Sequence, residues 1–189
     1  MITIRNETLK DIEAREALLD RAGGDARFAK AAERLREGRL PAEGLALVAE
    51  ENNCVVGTVR LWHVVAGPAR PALLLGPLAV DDAWRGLGIG ADLMRRATEA
   101  AQEFDHAAIL LVGDAPYYAR FGYSAEKTGS LWMPGPYERD RLLGLELTAG
   151  ALEGARGLIG ASGQREPKPD LAALVAGLAR TDTVAARAA

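Results

Sequence analysis

Six residues, Arg85-Gly86-Leu87-Gly88-Ile89-Gly90, stand between an apolar run and the strongest helical pattern in the chain. Downstream of them Leu93, Ala97, Ala100, Ala101 and Phe104 fall on one helical face, with Arg95, Arg96, Glu99 and Gln102 on the others. Upstream, Ala72 to Val80 is a long apolar run interrupted at Gly76-Pro77. Beyond the helix, Ile109 to Val112 is a short, wholly apolar strand of the kind buried between layers. Strand, helix and strand in that order make a βαβ crossover, so 72–80 and 109–112 are predicted to run parallel. Glycines at the start of a helix expose N–H groups at the positive end of its dipole and admit an anion close to the main chain. Arg85 adds a charged donor beside them. The same glycines also suit a tight turn, and three alternating glycines alone do not separate the two readings.

The rest of the chain builds a sheet around that unit. Ile2 and Ile4 alternate with polar residues in a short first strand. Thr8 and Asp11 read as the start of a helix with a thin apolar stripe at Ile12 and Leu19. Phe28, Ala31, Ala32 and Leu35, spaced i, i+3, i+4 and i+7, predict a second helix that Gly38 ends. Leu45 to Glu50 and Val55 to Val65 read as an antiparallel hairpin. Pro116 to Phe121 is a short helix stopped by Gly122, and Leu142 to Leu147 a further strand. The expected order, βααβββαβαβ, describes an α/β fold: a mixed, mostly antiparallel sheet with a splayed parallel central pair and helices on both faces.

Composition removes several classes of function. A chain of 189 residues, 49% hydrophobic and 26% charged, suits one globular domain. At this length folding buries roughly 70% of the surface, so neither disulfides nor metals are needed. The single cysteine, Cys54, rules out an intrachain disulfide and a thiolate cluster, and His63 and His106 leave little for zinc, so no metal is expected. A net charge of −3 argues against a nucleic-acid partner. No apolar run nears the ~20 residues of a membrane span, and the N-terminus lacks the pattern of a signal peptide, so a cytoplasmic protein without a membrane partner is expected.

The Arg-x-x-Gly-x-Gly spacing at 85–90, the preceding Leu78-Ala79-Val80-Asp81 and the later Tyr118-Ala-Arg-Phe-Gly-Tyr123 resemble the GCN5-related N-acetyltransferase (GNAT) superfamily. The resemblance runs from about Ile2 to Thr148 and is strongest over 73–123. Leu75 to Val80 and Leu145 to Leu152 are similar to a bacterial subgroup of predicted N-acetyltransferases. It implies the acyl-CoA N-acyltransferase fold and transfer of an acetyl group from acetyl-CoA, as co-substrate, to a primary amine of a small molecule or a protein. The pyrophosphate of CoA then lies on the backbone of Arg85, Gly86, Leu87, Gly88, Ile89 and Gly90. The pantetheine arm pairs with Leu78, Ala79 and Val80. Pro77, which has no N–H, suits a bulge that would open such a cleft, or simply an edge strand. Tyr118, four residues before Gly122, corresponds to the tyrosine that protonates the departing thiolate; otherwise it is a packing residue. Tyr117, about 100° further round the helix, is assigned to packing or the cleft wall.

No carboxylate lies within 71–80, where many relatives carry a glutamate base. His63, Glu50 and Asp81 are the alternatives, and proton removal through water would need none of them. Trp62, Trp84 and Trp132 read as packing residues, with 132–137 a loop over the acceptor site. A dinucleotide-binding fold is disfavoured because Asp81 to Arg85 separate the glycines from their strand and hairpins precede it. A non-catalytic acyl-CoA-binding or regulatory module is the alternative of another class. Residues 1–163 are taken as the acetyltransferase domain and 164–189 as a linker and amphipathic helix. The stripe Leu171, Leu174, Val175 and Leu178 is expected to be buried on the chain's own sheet or in a homodimer.

Overall fold

The computed structural model describes residues 1–24 and 28–167. The first strand, β1 (Thr3–Asn6), pairs antiparallel with β2 (Ala46–Glu51), and β2 pairs antiparallel with β3 (Cys54–Ala66). The turn between β2 and β3 is tighter than the sequence pattern predicts. Only Asn52 and Asn53 lie outside the strands, and both take positive φ, the twist that suits a two-residue hairpin. Next comes β4 (Pro71–Val80), antiparallel to β3, then β5 (Ala108–Val112), parallel to β4, then β7 (Leu142–Glu146), antiparallel to β5. The parallel pair is the one expected from the crossover.

Alternation along the strands sorts the core into two layers. Leu61, Leu73, Leu75, Ile109, Leu111 and Leu143 face α3 (Ile89–Glu103), whose Leu93, Met94, Ala97, Ala100 and Ala101 are buried on them. Trp62, Val64, Leu74, Ala108, Leu110 and Leu142 face the other way, toward Ala31 and Leu35. The same side carries α1 (Ile12–Gly23), which packs Leu18 and Leu19 against Ala79. Helices therefore cover both faces, as expected.

Several elements depart from the sequence reading. The helix expected from Phe28 onward is a single turn, α2 (Glu33–Arg36); Ala31 and Leu35 are buried, but Phe28 is 57% exposed. The apolar side of α1 is Leu18 and Leu19 rather than Ile12, because a 3₁₀ turn at Leu9–Asp11 rotates the helix start. Phe104 is 49% exposed and covers Gly44 instead of entering the core. Two strands were not expected: β6 (Leu131–Trp132) and β8 (Gly157–Ala161). They pair parallel with each other, and β8 continues the sheet by pairing antiparallel with the far end of β3. After β8 the chain stays bonded to 38–40, through Leu40 N–H to Gln164 O at 2.9 Å and Glu166 N–H to Gly38 O at 3.0 Å. The stripe from Leu171 to Leu178 lies outside the described residues.

Candidate active site

The site begins where β4 leaves β5. Only Leu73–Ile109 and Leu74–Leu110 are in register between them. Beyond these, β4 steps three residues, Leu75 to Leu78, while β3 steps two, Leu61 to Val59. The surplus residue is a bulge at Gly76-Pro77, braced by Trp62 Nε1–H donating to Gly76 O at 2.6 Å. The bulge bends β4 away from β5 and leaves one edge of its end unpaired. Asp81 N–H donates to Val56 O at 2.9 Å, so antiparallel alternation turns the peptide groups of Ala79 toward β3. Those of Leu78 and Val80 face the open edge.

A cavity of about 610 Å³ fills this opening. Leu75 to Leu78 form one wall and Leu111 to Asp114 the facing one. Tyr117 and Tyr118, on α4 (Ala115–Ala119), close its end. Asp114 starts α4 by accepting from Tyr117 N–H at 3.3 Å, with Pro116 in the first turn. The tyrosine rings meet edge to face, with centroids 4.9 Å apart. Both line the cavity, Tyr117 as part of its wall.

Tyr118 is the more enclosed of the two. Its ring lies on Gly113, and its hydroxyl makes no hydrogen bond among the described residues. Burial pushes the phenol up to about 12, reinforced by Tyr117 and Asp114 and opposed by Arg141. The phenol is therefore protonated at every physiological pH. It is also a weaker acid than an ordinary tyrosine.

A second cavity, of about 510 Å³, lies against the glycine loop and shares Tyr117 with the first. Val80, Arg85, Gly86, Gly88, Ile89 and Gly90 line it, together with Trp84 and Arg120. Gly86 and Gly88 have φ of 79° and 82°, so the turn itself requires glycine. Gly88 is also the N-cap of α3. The turn reading of the loop holds, and the N–H groups of 86–90 meet no acceptor among the described residues. Leu87 contributes backbone only, its side chain facing solvent. Arg120, which no sequence motif marks, reaches the cavity after stacking on Tyr117 at 4.4 Å from the ring centre.

None of the proposed bases lies in the cleft. His63 stands at the level of Leu73, beside His106 after the C-terminal end of α3, with ring centres 5.3 Å apart. Burial first, and His63 second, lower His106. Glu50 accepts from Arg5 Nε at 2.9 Å. Asp81 accepts from Ala83 N–H at 3.1 Å and Arg21 at 2.8 Å, contacts that hold it below its usual range. The carboxylates that do line the cleft are Asp114 and Glu138, and Glu138 arrives on the segment after β6 with Pro136, Tyr137 and Arg141. Of the segment 132–137, only Pro136 and Tyr137 line the cavity. Sequence distance hid Glu138 and Arg141, since no motif ties them to Tyr118.

A cleft between splayed parallel strands, with a glycine loop and a helix start beside it, defines an acyltransferase-type α/β domain. The comparisons agree: residues 42–125 match the model of the acetyltransferase (GNAT) domain. The curated relative named "Uncharacterized N-acetyltransferase YhbS", from Escherichia coli K12, is 31% identical over 157 residues, 82% of this chain and 93% of that one. The chain belongs to the GNAT acetyltransferase family. A crystal structure of the GNAT family N-acetyltransferase YhbS from Escherichia coli, in complex with CoA, superposes with a TM-score of 0.72 at 32% identity, over 85% of this chain and 89% of that one. A GNAT acetyltransferase from Brucella melitensis, in complex with acetyl-CoA, shares the fold at 24% identity and a TM-score of 0.58, over 88% of this chain and 94% of that one. No helix among the described residues is long and apolar enough to cross a membrane, and no group of three or more candidate metal ligands occurs among them.

Proposed function

We propose that the protein transfers an acetyl group from acetyl-CoA to a primary amine by direct attack of the amine on the thioester. The observation that carries this reading is that the two cavities lie side by side, with Tyr117 lining both. One has the donors for a pyrophosphate, and the other has an open strand edge and the half-buried phenol of Tyr118. The pyrophosphate lies on the N–H groups of 86–90, with Arg85 and Arg120 beside it. The amides of pantetheine pair with the free peptide groups of Leu78 and Val80, as an added strand would. This brings the thioester to Tyr118.

The amine nitrogen forms a bond to the thioester carbonyl carbon, and the tetrahedral adduct collapses with cleavage of carbon from sulfur. Tyr118 donates to the departing sulfur and recovers its proton from solvent; the amine loses one proton to water or to Glu138. With the phenol at about 12 and a thiol near 8.5, complete transfer to a solvated thiolate is uphill by ~3–4 pK units. Donation of a hydrogen bond, completed as the sulfur itself becomes buried, is the role that suits this tyrosine.

Thiol release from acetyl-CoA on addition of diverse amines tests the reading. Amine-dependent release supports transfer. Binding of CoA with no release from any amine would instead favour a non-catalytic CoA-binding module.

A further inference from the structure

The cleft also constrains the acceptor, and the inference drawn here rests on the acetyl-transfer reading. Five charged side chains line the larger cavity: Lys30, Arg36, Asp114, Glu138 and Arg141. Two of them are committed within the protein. Arg36, only 8% exposed, is paired with Glu33 at 2.9 Å, and Asp114 caps α4. The side chains of Lys30, Glu138 and Arg141 make no hydrogen bond or ion pair among the described residues.

Glu138 and Arg141 bracket a 3₁₀ turn, closed by Arg141 N–H donating to Glu138 O at 3.0 Å. Side chains three apart in such a turn lie on one side of it. Opposite charges placed this way usually meet, as Asp82 and Arg85 do at 2.8 Å. Glu138 and Arg141 form no ion pair with each other, yet both line the cavity. The wall facing Tyr118 thus presents a separated anion and cation. Arg141 is close enough to Tyr118 to oppose the effect of burial on its phenol.

We propose that the acceptor is a small amino acid-like zwitterion, its carboxylate held by Arg141 with help from Lys30 and its ammonium received by Glu138. A carboxylate on Arg141 places an amine on the same or the next carbon near Tyr118, where the thioester carbonyl would lie. Glu138 then accepts the proton that the ammonium must lose before its nitrogen can attack.

The test is a matched panel: L-amino acids, their primary amides and the corresponding decarboxylated amines, each assayed for kcat/KM with acetyl-CoA. CoA affinity is measured separately by calorimetry. The expected result is that members with a free carboxylate are favoured by roughly 10- to 100-fold, the range of a hydrogen bond to a charged group. Arg141→Gln should abolish that preference chiefly through KM, Arg141→Lys should restore part of it, and CoA affinity should stay within about twofold. Amides or simple amines acetylated as well as the acids, or Arg141→Gln lowering all three series alike, would overturn the acceptor assignment while leaving acetyl transfer intact. Failure to bind CoA at all would remove the underlying reading and this inference with it.

Discussion

The ring of Tyr118 lies so close on the backbone of Gly113 that a Cβ there would stand 2.1 Å from Cε2 and 2.7 Å from Cδ2. Gly113 directly follows β5 and donates its N–H to Arg141 O at 2.9 Å, so the strand end cannot easily retreat. Gly113→Ala must therefore displace the tyrosine. Turnover should fall at least ~10-fold while CoA affinity changes little, with a stability loss of about 1–3 kcal/mol from overpacking. Steady-state kinetics, calorimetry and thermal melts check the three parts. A Gly113→Ala enzyme with unchanged turnover would show that the ring position is unimportant.

Tyr118→Phe keeps the ring and removes the donor. Positioned general acids contribute ~10²- to 10⁴-fold, and a thiolate leaves fairly well unaided, so a loss near ~10²-fold is expected. The pH profile carries more information than the rate. A phenol pushed up to about 12 stays protonated across the assay range, so activity should rise as the amine deprotonates and show no alkaline fall below pH ~11. A descending limb at pH 9–10 that Tyr118→Phe abolishes would contradict the raised pKa of this tyrosine.

Asp11 ties the first strand to the first helix. Arg5 grips its carboxylate with two bonds, of 2.7 and 2.9 Å, and Thr8 adds its N–H at 2.7 Å and hydroxyl at 2.9 Å. The hydrogen bonds from Arg5, and then those from Thr8, hold the carboxyl well below its usual range. A depressed folded value means this stabilisation is complete above the unfolded pKa of ~3.9 and is lost as pH falls through the folded value. Asp11→Asn should cost about 1–3 kcal/mol at pH 7 in urea unfolding, and the gap to wild type should narrow below pH ~4. A gap that persists unchanged at pH 2 would assign the effect to packing rather than charge.

Periodicity carried most of the fold into view, because the buried residues of α3, β3, β4 and β5 have neighbours of their own kind at regular spacing. Where a segment's partners are remote, the pattern misled. The stripe from Phe28 to Leu35 has helical spacing, but residues 31–35 only bury Ala31 and Leu35 and then turn. Glycine-rich 150–163 hid β8, whose place is fixed by pairing with Val64 to Ala66, nearly a hundred residues earlier. The glycine loop and the Pro77 bend were legible since each has a local backbone cause. The charged wall of the cleft was not, since Glu138 and Arg141 meet Tyr118 only once β7 lies beside β5. His63 failed as a base for a reason the sequence does not contain: its level on β3 places it beside Leu73, before the splay.

The central claim is that the glycine loop holds acetyl-CoA, and a calorimetric titration of CoA into the wild-type protein and into Gly88→Val tests it most directly. Gly88 has a φ of 82° and no protein atom within 4 Å of an added Cβ. The substitution therefore costs backbone strain of ~1–2 kcal/mol and otherwise intrudes only on the loop cavity. The account predicts one site per chain in the wild type. It also predicts stabilisation of about 2.7 kcal/mol at a hundredfold excess over Kd, and loss of at least tenfold in affinity for a Gly88→Val protein that still melts cooperatively. No heat of binding and a melting temperature indifferent to saturating CoA in the wild type would contradict it.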